Sequence, residues 1–150
     1  EALPRLFRFL EGLEPDGETD LDAALKAYSV IPRRAGLRVL MSDLLDGAQE
    51  NILRHLRRPH EAALLHVLSP DELDPPLAGD LQLVDVETGS SQDVSLDGGL
   101  RSLYRERAQA WIQSTQSESR KQGARYLNIV TDRPWEQVIL LELRKAGMVK

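Results

Sequence analysis

Three short apolar runs, separated by stretches with helical periodicity, constrain the fold of this chain more than any other feature. The runs cover 37–42, 62–68 and 126–130, and each is bounded by polar or turn-forming residues. Runs of this length and composition are typical of buried strands. Because strands and helices alternate, right-handed crossovers predict a three-layer α/β fold with a mostly parallel sheet between helices.

Helical patterns fill most of the remaining chain. They predict helices over 3–13, 20–30, 47–57, 99–123 and 134–146. A β-hairpin from 81 to 96 is predicted between the second strand and the long helix. We expect the first helix to pack on the sheet through Leu3, Leu6, Phe7, Leu10 and Leu13. We expect the last helix to bury Trp135, Val138, Ile139 and Leu143.

Composition and charge exclude several classes of function. The chain has 150 residues, 41 % of them hydrophobic, which suits one domain with a sizeable core. Lysine and arginine total 19 against 24 acidic residues, and the net charge of −5 argues against nucleic acid as a partner. The lack of cysteine excludes disulfides and thiolate metal sites. No apolar stretch approaches the roughly twenty residues that cross a bilayer, so we expect a soluble, cytoplasmic protein.

Polar residues follow all three predicted strands. Asp43 comes directly after the first, Ser69 after the second, and Thr131 with Asp132 after the third. The carboxyl ends of parallel strands meet at one edge of a sheet, where ligands of such folds collect. Asp43 is therefore the first candidate for a functional side chain.

The segment around Thr19, together with the strand that ends in Ser42 and Asp43, resembles the second half of a von Willebrand factor type A domain. The matching residues are Gly17-Glu18-Thr19-Asp20-Leu21, followed by Ala24 and Leu25. In that three-layer, Rossmann-like family, a threonine of such a loop and an aspartate ending the next strand approach one divalent cation. The resemblance implies a metal site at Thr19 and Asp43, with Ser42, Asp46 and Asp132 on the partner-binding rim.

Downstream residues are similar to the bacterial DUF58 family, whose members carry a type A-like domain. They are His66 in a strand, the hairpin turn Asp85-Val86-Glu87-Thr88-Gly89, Tyr104 in a helix, and Thr131-Asp132-Arg133-Pro134 closing the last strand. The resemblance implies a non-enzymatic protein-binding module. A MoxR-type AAA+ ATPase, or its client, is the implied partner, and Mg²⁺ the implied cation.

The chain departs from the type A pattern in one respect. The main cation ligands of that family lie in an Asp-x-Ser-x-Ser loop on a first strand, which would precede Glu1. The nearest match, residues 93–97, ends in Asp and lies in the predicted hairpin. We therefore expect a single domain, 1–150, truncated on its N-terminal side, that holds Mg²⁺ weakly or not at all, since Mg²⁺ requires near-octahedral coordination. The 37–42 strand would then be an exposed edge, which favours homodimerisation.

Other interpretations of the same residues stay open. Thr19 also fits an ordinary N-cap and Asp43 a cap of the next helix, and Asp132 fits a helix start better than a ligand. The acidic residues of 16–22 are expected to be solvated, and the histidines lack the spacing of a zinc helix. No nucleophile elbow or phosphate loop is present, so we expect no enzyme activity. The alternatives are a Mg²⁺-dependent hydrolase or phosphatase-like enzyme that uses Asp43 and Asp132, or a structural module without metal.

Overall fold

A three-stranded parallel sheet organises the fold, which is mixed α/β as predicted. The computed structural model describes residues 2–14, 19–30, 36–45, 47, 49–57, 61–85 and 89–148. The strands are β1 (Leu37–Ser42), β2 (Glu61–Leu68) and β5 (Arg125–Val130), and their order is β1-β2-β5. The register pairs Leu40 with Leu64 and Leu64 with Tyr126. All three predicted strands are confirmed, and β1 is an edge strand of this sheet, as expected.

The predicted hairpin is also confirmed and forms a separate two-stranded antiparallel sheet. It consists of β3 (Gly79–Val84) and β4 (Ser91–Leu96), with Leu81 paired to Val94. At the turn, the Asp85 amide donates to the Ser90 carbonyl over 2.9 Å. Residues 86–88 of the turn motif lie outside the described residues.

The helices follow the predicted order, with one further short helix, Pro70–Leu73, between β2 and the hairpin. They are α1 (Ala2–Glu11), α2 (Leu21–Ser29), α3 (Gln49–Arg54), α4 (Pro70–Leu73), α5 (Gly98–Lys121) and α6. The last helix, α6, is continuous through Trp135–Gln137, Val138–Glu142 and Leu143–Lys145. Its middle segment is a π-helix, in which the Leu143 amide donates to the Val138 carbonyl. Such a turn holds an extra residue and changes which side chains share a face.

The core lies between one face of the sheet and helices α2, α3 and α5. Its buried cluster contains Leu25, Leu40, Leu44, Ile52, Leu53, Leu56, Ala62, Leu64 and Ala124, with Leu21, Trp111 and Tyr126 packed against it. Every residue of β2 from Ala62 to His66 is buried, as expected for a central strand. Because β2 is buried, the run 62–68 is apolar almost throughout.

Two predicted burial patterns are wrong. The apolar side chains of α1 are exposed, with Leu3 at 61 % and Phe7 at 54 %, so this helix does not pack on the sheet. In α6, Val138 is buried but Trp135 is 67 % exposed and Ile139 is 43 % exposed. Periodicity shows that a helix has an apolar face, but it does not show whether another element covers that face.

Candidate functional site

The carboxyl edge of the sheet collects the polar residues that follow its strands. Because β1, β2 and β5 are parallel, Asp43, Ser69 and Thr131 leave the sheet at the same edge. The Thr131 amide donates to the Leu68 carbonyl over 3.0 Å, which continues the ladder past the end of the strands. The structure therefore confirms the shared edge that the sequence predicts.

The turn after β1 holds Asp43 through local hydrogen bonds and an unusual backbone. The Leu44 amide donates to Ser42 Oγ over 3.0 Å, and the Leu45 amide donates to Asp43 Oδ1 over 3.2 Å. Leu44 has a φ of +59°, in the left-handed region that residues other than glycine rarely adopt. Its side chain is only 3 % exposed and belongs to the core, so packing offsets this strain. The Asp43 carboxylate itself is exposed.

A buried histidine on the central strand anchors the same turn. His66 is fully buried, and its Nε2 lies 3.0 Å from the Asp43 carbonyl oxygen. Its Nδ1 lies 2.9 Å from the Tyr126 hydroxyl. Since a carbonyl only accepts, Nε2 carries the proton and donates it, while Nδ1 accepts from the tyrosine. Both ring nitrogens are therefore engaged.

Burial keeps this pair neutral. Desolvation lowers the pKa of His66, and the hydrogen bond to the Asp43 carbonyl opposes that effect only in part. Desolvation raises the pKa of Tyr126 to about 12. His66 is therefore a fixed, uncharged support for Asp43 at neutral pH.

Helix α5 closes over the histidine and ties it to α3. The Trp111 ring meets His66 edge to face, with ring centroids 4.7 Å apart. Trp111 Nε1 donates to Gln49 Oε1 over 2.6 Å, and Gln49 Nε2 donates to Thr115 Oγ1 over 2.6 Å. These bonds satisfy polar groups that would otherwise be costly to bury. The long helix, the sheet and α3 thus form one rigid frame behind Asp43.

The structure corrects three roles that the sequence left open. Asp20, not Thr19, is the N-cap of α2, because its Oδ1 accepts from the Ala23 amide over 2.8 Å. Asp43 does not cap α3, because its carboxylate bonds within its own turn. Asp132 does not begin α6, whose N-cap is Pro134.

Thr19 and Asp132 remain candidate site residues. Thr19 is exposed next to the cap of α2, Asp132 is exposed after β5, and Asp46 lies outside the described residues. A shared cation at Thr19 and Asp43 stays a prediction. Within the described part of the chain, no group of three or more His, Asp or Glu side chains is arranged to hold a metal ion.

Sequence reasoning missed an ion-paired cluster around Asp22. The Asp22 carboxylate is largely buried and contacts Lys26 Nζ at 2.6 Å and His55 Nε2 at 3.0 Å. The hydrogen bond from Lys26, and then that from His55, lower the pKa of Asp22. The His55 carbonyl accepts from Arg38, whose guanidinium lies 5.1 Å from the Tyr28 ring centroid. The expectation that the acidic run is solvated is therefore wrong at Asp22, and the cluster ties α2 to α3 and β1.

The family described as "Protein of unknown function DUF58" matches residues 1–114, which is most of the chain. The chain belongs to the DUF58 family. The match contains α1, the Thr19 loop, β1 with Asp43, the hairpin and the first part of α5.

Mycobacterial proteins are similar to this DUF58 chain. "Uncharacterized protein MAV169" of Mycobacterium avium is 32 % identical over 117 residues, which are 77 % of this chain and 69 % of the relative. "Uncharacterized protein Rv1480" of Mycobacterium tuberculosis H37Rv is 33 % identical over 117 residues, but they are only 37 % of its length. "Uncharacterized protein Mb1516" of Mycobacterium bovis gives the same values. The matched part of the DUF58 chain thus spans just over a third of the longer relatives.

No solved structure gives a significant match to the DUF58 chain. Among the residues described, no helix is long and apolar enough to span a membrane.

Proposed function

We propose that this DUF58 chain is a non-enzymatic protein-binding module with a type A-like, three-layer arrangement. In this proposal Asp43 and Thr19 contribute oxygen ligands to a divalent cation, and a carboxylate of the partner completes the coordination. The observation that carries the proposal is that Asp43 has an exposed carboxylate on an anchored backbone. Its carboxylate is exposed at the carboxyl edge of the sheet, while its backbone is anchored by the buried His66.

The donor chemistry fits a hard cation. Carboxylate and hydroxyl oxygens are ligands that Mg²⁺ accepts. Asp43 Oδ1 accepts one amide hydrogen, which leaves acceptor positions on the carboxylate. When bound, the cation would supply a positive charge at the rim that attracts an acidic partner. Ser42, Asp46 and Asp132 would form the rest of the partner-binding rim.

The same geometry favours binding over catalysis. His66 bonds directly to the Asp43 carbonyl, yet it is buried and both its nitrogens are engaged. A general base must reach the proton that it removes, and His66 cannot do so here. We therefore favour the module over the Mg²⁺-dependent hydrolase that would use Asp43 and Asp132.

The partner follows from the resemblance to the DUF58 family. We propose a MoxR-type AAA+ ATPase, or a client protein of that ATPase, bound during protein assembly or activation. The test measures binding of a purified MoxR-type ATPase from the same genome by calorimetry, in Mg²⁺ and then in EDTA. We expect binding only with Mg²⁺ and at least a tenfold loss, about 1.4 kcal/mol, for Asp43→Asn.

Glu106→Gln is the matched control, because Glu106 is an exposed carboxylate on α5 that does not line the groove beside the hairpin. It should bind like the unmodified chain. Binding that survives both EDTA and Asp43→Asn would contradict the proposal. Mg²⁺-dependent hydrolysis of a phosphate ester that disappears in Asp43→Asn and Asp132→Asn would instead support the enzymatic alternative.

A further inference from the structure

An apolar groove lies between the β3–β4 hairpin and the amino-terminal half of α5. Its volume is about 310 Å³. Side chains of the hairpin, the segment before it and α5 line the groove, chiefly Leu77, Leu81, Leu83, Val94, Leu96 and Leu100. A groove of this size is at the lower end of the range for ligand-binding cavities, and it is separate from Asp43 in sequence and in fold.

The polar groups beside the groove already have partners. The Tyr104 hydroxyl donates to the Glu72 carbonyl over 2.7 Å. Arg101 Nε donates to Asp74 Oδ1 over 2.7 Å. Small polar ligands are oriented by free polar groups in their pocket, and these two are committed to fixing α4 against α5. The occupant must therefore present apolar groups to the groove.

The surroundings of the groove are acidic. The sequence from Pro70 to Asp97 contains no lysine, arginine or histidine, and its acidic residues are Asp71, Glu72, Asp74, Asp80, Asp85, Glu87, Asp93 and Asp97. Side chains alternate along a strand, so Asp80 and Asp93 lie on the outer face of the hairpin, opposite the groove-lining Leu81 and Val94. Arg101 is the one basic residue of the lining, and it is paired with Asp74. Asp74 is offset by Arg101 and by Arg105, but the other acids give the segment 70–97 a net negative charge, part of it on the outer face of the hairpin.

We propose that this groove docks a protein segment whose apolar side chains are flanked by lysine or arginine. Apolar anchors in a groove supply affinity, and charge complementarity around it supplies specificity and rate of association. The inference goes beyond the proposed function, because it involves neither Asp43 nor a cation. Its test can therefore be run in EDTA, where failure of the cation-dependent site has no effect on the result.

The probe is a synthetic helical peptide of leucine and lysine with the leucines on one face. A second peptide carries glutamate in place of lysine. Resonance shifts in ¹⁵N-labelled protein should map the lysine peptide to Leu81, Val94 and Leu100. Its affinity should fall at least tenfold between low and high salt, since salt screens exposed charges. The glutamate peptide should not bind.

Two variants on the same hairpin provide a matched comparison. Val94→Phe fills the groove and should weaken binding at least tenfold, whereas Val84→Phe on the outer face should have no effect. Phenylalanine is well accepted in strands, so both hairpins should form, which circular dichroism checks. Asp80→Asn with Asp93→Asn leaves the groove intact and should remove part of the salt dependence.

Several results would overturn the proposal. Equal binding of the glutamate peptide would remove the charge argument, and tight binding of octanoate to the groove would assign it to a small lipophile. Lysine-peptide shifts confined to α1, whose Leu6 and Phe7 are also exposed, would place the binding elsewhere. Groove shifts that depend on protein concentration without peptide would assign it to a second copy of this chain.

Discussion

The imidazole of His66 donates a 3.0 Å hydrogen bond to the main-chain carbonyl of Asp43. His66 lies in the buried central strand β2, and Asp43 directly follows the edge strand β1 beside it. The bond holds the turn in which Leu44 adopts a positive φ and from which the Asp43 carboxylate reaches solvent. A core residue thus sets the geometry of an exposed candidate ligand, Asp43.

Replacing His66 should cost more stability than replacing its tyrosine partner. His66→Phe leaves the Asp43 carbonyl and the Tyr126 hydroxyl unpaired in the core, at a cost of about 3 kcal/mol. Tyr126→Phe leaves one buried acceptor, His66 Nδ1, without its partner and should cost about 1 kcal/mol. Urea unfolding measures both values. Hydrogen exchange of the Leu44 and Leu45 amides should accelerate in His66→Phe. Equal losses of stability in the two variants, with unchanged amide exchange, would contradict the anchoring role of His66.

The stability of the protein should fall as the pH drops below about 6.5. Burial lowers the pKa of His66 below 6.5, so in this range the unfolded chain binds a proton that the folded chain does not. The free energy of unfolding therefore rises with pH up to that value. Chemical unfolding between pH 5 and 8 measures the slope, which should be smaller in His66→Phe. An identical slope in the variant would show that other groups cause it.

Asp22→Asn should reduce stability at neutral pH and change its acid dependence. The pKa of Asp22 is lowered by Lys26 and His55, so its contribution is present above about 3.8 and is lost as the pH falls through the folded pKa. The variant lacks this contribution, and its stability should change less between pH 4 and 2. Asp93→Asn, an exposed control on the hairpin, should keep the unmodified profile. A profile for Asp22→Asn that matches the control would exclude the ion-paired cluster.

Among the described residues β1 has one paired edge only, and this predicts self-association at high protein concentration. Leu37, Val39 and Met41 are all exposed on this edge strand, and Met41 is 68 % exposed. Unpaired strand edges associate, and a charge on them prevents it. Met41→Lys should therefore lower the association constant in sedimentation while changing the free energy of unfolding by less than about 0.5 kcal/mol. Val84→Lys on the hairpin is the control, and a strictly monomeric unmodified protein would contradict the prediction.

The sequence predicts the strands better than the helix faces. A run such as 62–68 is apolar throughout because neighbours cover both faces of β2, so the pattern itself records the burial. The apolar stripe of α1 gives no such information, since it would look the same whether covered or exposed. In α6 the π-helical segment breaks the 3.6-residue period, and Ile139 leaves the buried side.

The candidate site was predictable only at the level of strand ends. Asp43 is found because an acid follows a buried strand, a pattern visible in the sequence. His66 and Tyr126 are separated by 60 positions, and Asp22 and His55 by 33, so their contacts depend on strand order and helix packing. The choice of Asp20 over Thr19 as the cap of α2 depends on backbone angles that adjacent good cap residues do not reveal.

The central claim is that Thr19 and Asp43 share one cation, and paramagnetic relaxation with Mn²⁺ tests it most directly. The method detects weak binding, which suits a site with few ligands. The account predicts that Mn²⁺ broadens the amide signals of Thr19 and Asp43 together, and that excess Mg²⁺ restores both. Broadening of Asp43 without Thr19, or of neither, would contradict it.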